Sequence, residues 1–134
     1  MKIKGQRVAA IYCRVSTTRQ LDGDGIRRQR AGCEKWCTNN GLFPVVSFIE
    51  AGTDFRHKDK LPARQAAVAF CKEHDCLLVV EALDRLTRQF FVAECDVHLV
   101  YEDMRVSANA MSFAMAIAGG IQESRENLRL KKAA

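Results

Sequence analysis

The pentapeptide Cys76-Leu77-Leu78-Val79-Val80 carries no polar residue at alternate positions, so a strand made from it must be covered on both faces. Val8-Ala9-Ala10-Ile11-Tyr12 has the same character. Strands of this kind belong to parallel sheets with helices above and below, and the intervening residues supply those helices. From about Ile26 to Asn39 the pattern turns helical, and Asn40-Gly41 is a good helix stop. Val45-Val46-Ser47-Phe48-Ile49 reads as a further strand, and Glu50 to Lys60 as a charged loop around Gly52. Pro62 suits the first turn of a helix running to about His74. Val97-His98-Leu99-Val100-Tyr101 reads as a fourth strand, and a helical pattern runs on from about Asn109. The expectation is an α/β domain: a mostly parallel central sheet of four or five strands flanked by helices, with a long C-terminal helix.

The 134 residues amount to one domain's worth, so 1–134 is taken as a single unit. No internal repeat, low-complexity stretch or Pro/Ser-rich linker divides it. The 21 Lys+Arg against 16 Asp+Glu leave a net +5, which admits a polyanionic partner without requiring one. No apolar run approaches the roughly 18 residues of a membrane span, and no secretory signal precedes the first strand. The expectation is a cytoplasmic protein with reduced thiols and no membrane partner. Cys13, Cys33, Cys37, Cys71, Cys76 and Cys95 show no two-residue zinc-knuckle spacing. Cys33 and Cys37 would share one helix face, and all six read as small buried thiols rather than metal ligands. His57, His74 and His98 read as loop or helix-end residues, and Trp36 as part of the core.

Ligands of parallel α/β sheets sit beyond the carboxyl ends of the strands. After the first strand comes Tyr12-Cys13-Arg14-Val15-Ser16-Thr17-Thr18-Arg19-Gln20, and after the third comes Glu81-Ala82-Leu83-Asp84-Arg85-Leu86-Thr87-Arg88. If these strands are neighbours, Ser16 and Arg14 meet Arg85 and Arg88, the latter two set three apart on one face of a helical turn. Each motif alone is compatible with solvated arginines or with a helix cap. Together they describe a hydroxyl nucleophile beside an anion site, since the guanidinium fork suits phosphate oxygens. The chemistry is attack on a phosphodiester, with transition-state charge held by arginine.

These residues closely resemble the catalytic domain of the serine recombinases, the family of resolvases, invertases and large serine integrases. The resemblance extends over nearly the whole chain and includes Gln29 and Glu123. It implies that Ser16 is the nucleophile, forming a 5′-phosphoserine link to DNA and releasing a 3′ hydroxyl. It implies that Arg14, Arg85 and Arg88 hold the scissile phosphate, and that Asp84 orients the arginines or protonates the leaving oxygen. Gln20 and Gln29 would hydrogen-bond within the site, and Glu123 would contribute from the last helix. The implied partner is double-stranded DNA, with a homodimer through the long C-terminal helix and a tetramer in the active synapse. No metal or other cofactor is implied.

Two departures from the family pattern stand out. Leu61 occupies the place before Pro62-Ala63 where the family usually has arginine; Arg56, Lys58, Lys60 and Arg64 are the nearby cations. Only Gln89 to Asp96 separates Arg88 from the fourth strand, where the family's helix is usually longer. The DNA-binding region that follows the last helix in the family is not found in this chain, so the expectation is an isolated catalytic domain or a truncated product.

Two rival readings differ in class. The same fold could serve as a non-catalytic dimerisation or regulatory module. Alternatively, Cys13 and Arg19 have the Cys-x5-Arg spacing of a phosphatase, in which a thiolate attacks phosphate; the intervening residues lack glycine, and no Asp-Pro supplies the general acid. Gly23-Asp24-Gly25 is a poor dinucleotide motif, lacking a third glycine.

The last helical pattern places Met111, Ala114, Met115, Ala118, Ile121 and Leu128 on one stripe. A helix of ~24 residues spans about 36 Å, whereas a domain of this size has a radius of gyration near ~14 Å. The far half, past Gly119-Gly120, is expected to project and to be covered by a second copy.

Overall fold

The computed structural model describes residues 2–3, 5–16, 24–51, 61–87 and 93–108. The elements in chain order are β1 (Lys2–Ile3), β2 (Gln6–Val15), α1 (Asp24–Asn39), β3 (Leu42–Ala51), α2 (Pro62–His74), β4 (Leu77–Val80), α3 (Leu83–Leu86), β5 (Val97–Leu99) and β6 (Met104–Val106). They form one six-stranded sheet. Strands β3, β2, β4 and β5 are parallel neighbours in that order. The short β1 and β6 pair antiparallel with β2 and β5 respectively.

The continuous apolar runs are explained by burial on both sides. Along β2, Val8, Ala10 and Tyr12 face one core with Ala67 and Cys71 of α2. The alternate residues Ala9, Ile11, Cys13 and Val15 face the other core with Ile26, Cys33 and Cys37 of α1. Side chains alternate across a strand, so a strand between two helical layers has no face left for polar residues. In α1 the buried positions Ile26, Gln29, Cys33 and Cys37 recur at three- and four-residue steps, which is one helical stripe. All six cysteines are free thiols and buried. Among the described residues no three His, Cys, Asp or Glu side chains form a metal-holding group. Nor is any described helix long and apolar enough to cross a membrane.

Element ends follow local chemistry. Helix α1 begins at Asp24, two residues before the expected start. It ends at Asn39, and Gly41 takes a positive φ of 71° that a residue with a Cβ adopts only with strain. Helix α2 runs from Pro62 to His74 as expected. Strand β3 is longer than its apolar centre, Leu42–Ala51, and includes Pro44. Pro44 lies where the β2–β3 register shifts, and a bulge is a place where a residue without an N–H is tolerated.

The structure corrects three expectations. Glu50 is not the start of a loop: it is the penultimate residue of β3, and it is buried. His98 is not solvated. It lies on β5 at 6% exposure, and its ring stacks on Trp36 with centroids 3.9 Å apart. The helical turn after β4 stops at Leu86, because Thr87 is extended at φ −161° and ψ 154°, so helical spacing does not link Arg85 to Arg88. Strands β1 and β6 are additions to the expected sheet. The expected long helix from Asn109, with Gly119-Gly120 and the apolar stripe, lies outside the described residues, as do residues 52–60, His57 among them.

Candidate active site

The parallel register pairs Tyr12 with Val80, so β2 and β4 end at the same edge of the sheet. There β2 continues through Arg14 and Val15 to the exposed Ser16, while β4 leads through Glu81 and Ala82 into the single turn α3. The neighbouring strands therefore bring the two motifs together. The Arg14 guanidinium donates a hydrogen bond to the backbone carbonyl of Asp84. Nη1 of Arg85 donates in return to the carbonyl of Arg14, at 3.4 Å. The two arginines are thus interlocked, each reaching the other's strand end, and Arg14 lies two residues before Ser16.

Gln29 holds this arrangement from α1. Its Oε1 accepts from the Arg14 N–H at 3.0 Å, and its Nε2 donates to the Arg14 carbonyl at 2.9 Å. Beyond the Tyr12–Val80 pair β4 has ended, and the fully buried amide of Gln29 does the work of a strand partner. Glu81 binds two guanidinium groups at the rim: Arg28, and Arg85, whose Nε lies 3.7 Å from Oε1. Asp84 is exposed on the same turn. Gln20, Arg88 and Glu123 lie outside the described residues.

Two carboxylates missed by sequence reasoning, Glu50 and Glu102, frame the site together with Arg64, one of the cations noted near Pro62. Glu50 accepts from the Tyr12 hydroxyl at 3.1 Å and from the backbone N–H groups of Ala63 and Arg64 at 3.2 and 3.0 Å. It thereby caps α2, whose own N-cap residue, Leu61, makes no side-chain cap. Burial, and next the Glu50 carboxylate, hold the Tyr12 phenol far above its usual range, so it is a neutral donor. Arg64 is buried and donates to the carbonyl of Leu86 at 3.1 Å. Glu102 accepts from the N–H of Leu83 at 3.0 Å. The signal available in the sequence was the absence of a Ser, Thr, Asp or Asn before Pro62, which required that the cap come from elsewhere.

The same geometry removes the phosphatase reading. Cys13 belongs to a regular strand rather than a phosphate-cradling loop, and it faces the α1 core. Burial pushes its thiol up to about 11, so the thiolate needed for attack is scarce at neutral pH.

The model of the family described as "Resolvase, N terminal domain" matches residues 9–131. The chain belongs to the resolvase N-terminal domain family. This resolvase domain is similar in structure to the N-terminal catalytic domain of TP901-1 integrase, with a TM-score of 0.65 and 26% identity over 92% of this chain and 99% of that one. A resolvase family site-specific recombinase from Streptococcus pneumoniae shares the fold at a TM-score of 0.53 and 16% identity, over 95% and 93% of the two chains. So does the C-terminal catalytic domain of ISC1926 TnpA, an IS607-like serine recombinase, at 0.53 and 20%, over 61% and 56%. No curated protein matches the chain.

Proposed function

We propose that this resolvase domain, a site-specific serine recombinase catalytic domain, cuts and rejoins double-stranded DNA through Ser16. The Ser16 hydroxyl oxygen attacks the scissile phosphorus, and the bond from phosphorus to the 3′ oxygen breaks. The serine proton passes to solvent, and the leaving 3′ oxygen takes a proton, for which Asp84, exposed on the opposing turn, is the candidate donor. The product is a 5′-phosphoserine link and a free 3′ hydroxyl. Reversal, with a new 3′ hydroxyl as nucleophile, rejoins the strands and conserves the bond energy. Arg14, Arg85 and Arg88 bind the non-bridging oxygens, where developing charge is greatest. Gln29 acts through Arg14, Gln20 from the loop after Ser16, and Glu123 from the last helix. That helix forms a homodimer, and two dimers make the active synapse.

One observation carries the reading. Arg14 and Arg85 are interlocked beside the exposed Ser16 at a shared strand edge. A duplex carrying the target site, labelled at either end of each strand, tests the polarity. Protein should stay with the 5′ end of the break, and the freed 3′ end should be extendable by a polymerase. Protein on the 3′ end would contradict the chemistry. Sedimentation tests the dimer: self-association weakened by Ile121→Asp is expected, and a monomer at all concentrations refutes it.

A further inference from the structure

Helix α3 is a single turn, Leu83–Leu86, flanked by extended residues on both sides. An isolated turn does not hold its shape, because fixing its dihedrals costs more than its one or two hydrogen bonds return. It has no side-chain cap of its own. Its buried Leu83 and Leu86 anchor one side, which turns Asp84 and Arg85 outward. The Arg14 guanidinium holds the middle of the turn at the Asp84 carbonyl, and its two ends are held by two further distant side chains. Glu102, in the tight connection between β5 and β6, accepts the N–H of Leu83 at 3.0 Å. Arg64, in the first turn of α2, donates to the carbonyl of Leu86 at 3.1 Å. One charged group thus holds the first residue of the turn, and one of opposite charge holds the last.

The arrangement is specific. Glu102 lies in the turn between β5 and β6, next to Asp103 at a positive φ of 50°, and its carboxylate reaches the N–H of Leu83. The N–H of Tyr101 donates to the carbonyl of Glu81 at 2.7 Å, fixing this connection to the residue two before the turn. Arg64 is 8% exposed, so its guanidinium was desolvated to make the contact, which a surface arginine would not need. The backbone N–H of the same residue is held by Glu50.

We propose that Glu102 and Arg64 are positioning residues for recombination: they clamp the α3 turn from its two ends so that Arg85 is presented to the phosphate beside Ser16. The inference rests on the reading of Arg85 as a phosphate-binding residue. Loss of either clamp leaves Ser16, Arg14 and Arg85 chemically intact but lets the Arg85 turn wander. A misplacement on the order of 1 Å at such a group costs about 100-fold.

The test measures covalent adduct formation on target DNA by Glu102→Ala and Arg64→Met, each alone and combined with Arg85→Ala. Methionine keeps much of the arginine's volume, so Arg64→Met removes the contact without leaving a buried charge. The expected result is an adduct rate at saturating DNA lowered about 10- to 100-fold, with half-saturating DNA changed less than about threefold. Glu102→Gln, which keeps the acceptor oxygen, should recover most of the rate. In the Arg85→Ala background both substitutions should cost less than about twofold, because residues that act as a unit are not additive. A rate within about twofold of wild type in both single variants, or the same loss with and without Arg85, overturns the proposal. Amide hydrogen exchange gives a readout independent of activity. Leu83 to Thr87 should lose protection in both variants while α1 keeps its own, and unchanged protection of α3 also overturns the proposal. An inactive wild type with the expected exchange result would refute the recombination chemistry while leaving the clamp standing.

Discussion

Replacing Gln29 by methionine isolates the contribution of its amide. Methionine has a similar length and no amide, so the volume is kept while both hydrogen bonds to Arg14 vanish. Each such bond contributes about 1 kcal/mol net, and a buried backbone group left without a partner costs about 1–3 kcal/mol. The Arg14 carbonyl keeps its contact with Arg85 at 3.4 Å, so the N–H is the group stranded. The expected loss is about 2–3 kcal/mol, a large part of the ~5–15 kcal/mol by which such domains are stable. Trp36 is the sole tryptophan and lies on the same helix, so urea unfolding followed by its fluorescence reports the loss directly. The midpoint should fall with the slope unchanged, since the surface exposed on unfolding is the same. A change below about 0.5 kcal/mol, the range of an ordinary surface substitution, would refute the view that this amide replaces a missing strand.

Three further outcomes are expected. Replacing Glu50 by alanine strands the Tyr12 hydroxyl and two amides at the start of α2, for a loss of about 3 kcal/mol or more in the same assay, whereas Glu50→Gln keeps one acceptor oxygen and should lose less. Burial, reinforced by Arg105, lowers the pKa of His98, so the folded state binds that proton later than the unfolded chain does. The associated stability is complete above the unfolded pKa of about 6.5 and is lost as pH falls below it; the difference between wild type and His98→Phe in urea melts from pH 8 to 5 should show this, and a flat difference refutes it. Lysine at Arg14, Arg85 or Arg88 should lower the strand-cleavage rate about 100- to 1,000-fold, because a point charge cannot bridge two phosphate oxygens, and rates within tenfold of wild type in all three would refute their role in holding the phosphate.

Much of this architecture is legible in the residues. The apolar runs at Val8–Tyr12 and Leu77–Val80 demand cover on both faces, and that demand alone implies parallel strands with two helical layers. Pro62 marks the start of α2 because its missing N–H is harmless there. The meeting of Arg14 with the Asp84-Arg85 turn follows from strand adjacency, and sequence order alone states only a condition for it. Other features depend on long-range contacts that no local pattern encodes. Glu50 closes an apolar run and Glu102 sits beside Asp103 in a turn, and neither neighbourhood shows that the carboxylate turns inward to backbone amides of a distant helix. His98 is buried because Trp36 stacks on it from another element. The three-residue strand β6 is too short for a period-two signal, and its pairing with β5 is set by the turn at Asp103.

The most direct measurement is the site of covalent attachment. Wild-type protein trapped on target DNA, digested with protease and nuclease, should yield one modified peptide, with a 5′-linked nucleotide on the oxygen of Ser16. Ser16→Ala protein should yield none while retaining the fold. A modified peptide from Ser16→Ala protein, or attachment at Cys13 or any other residue, would contradict the account.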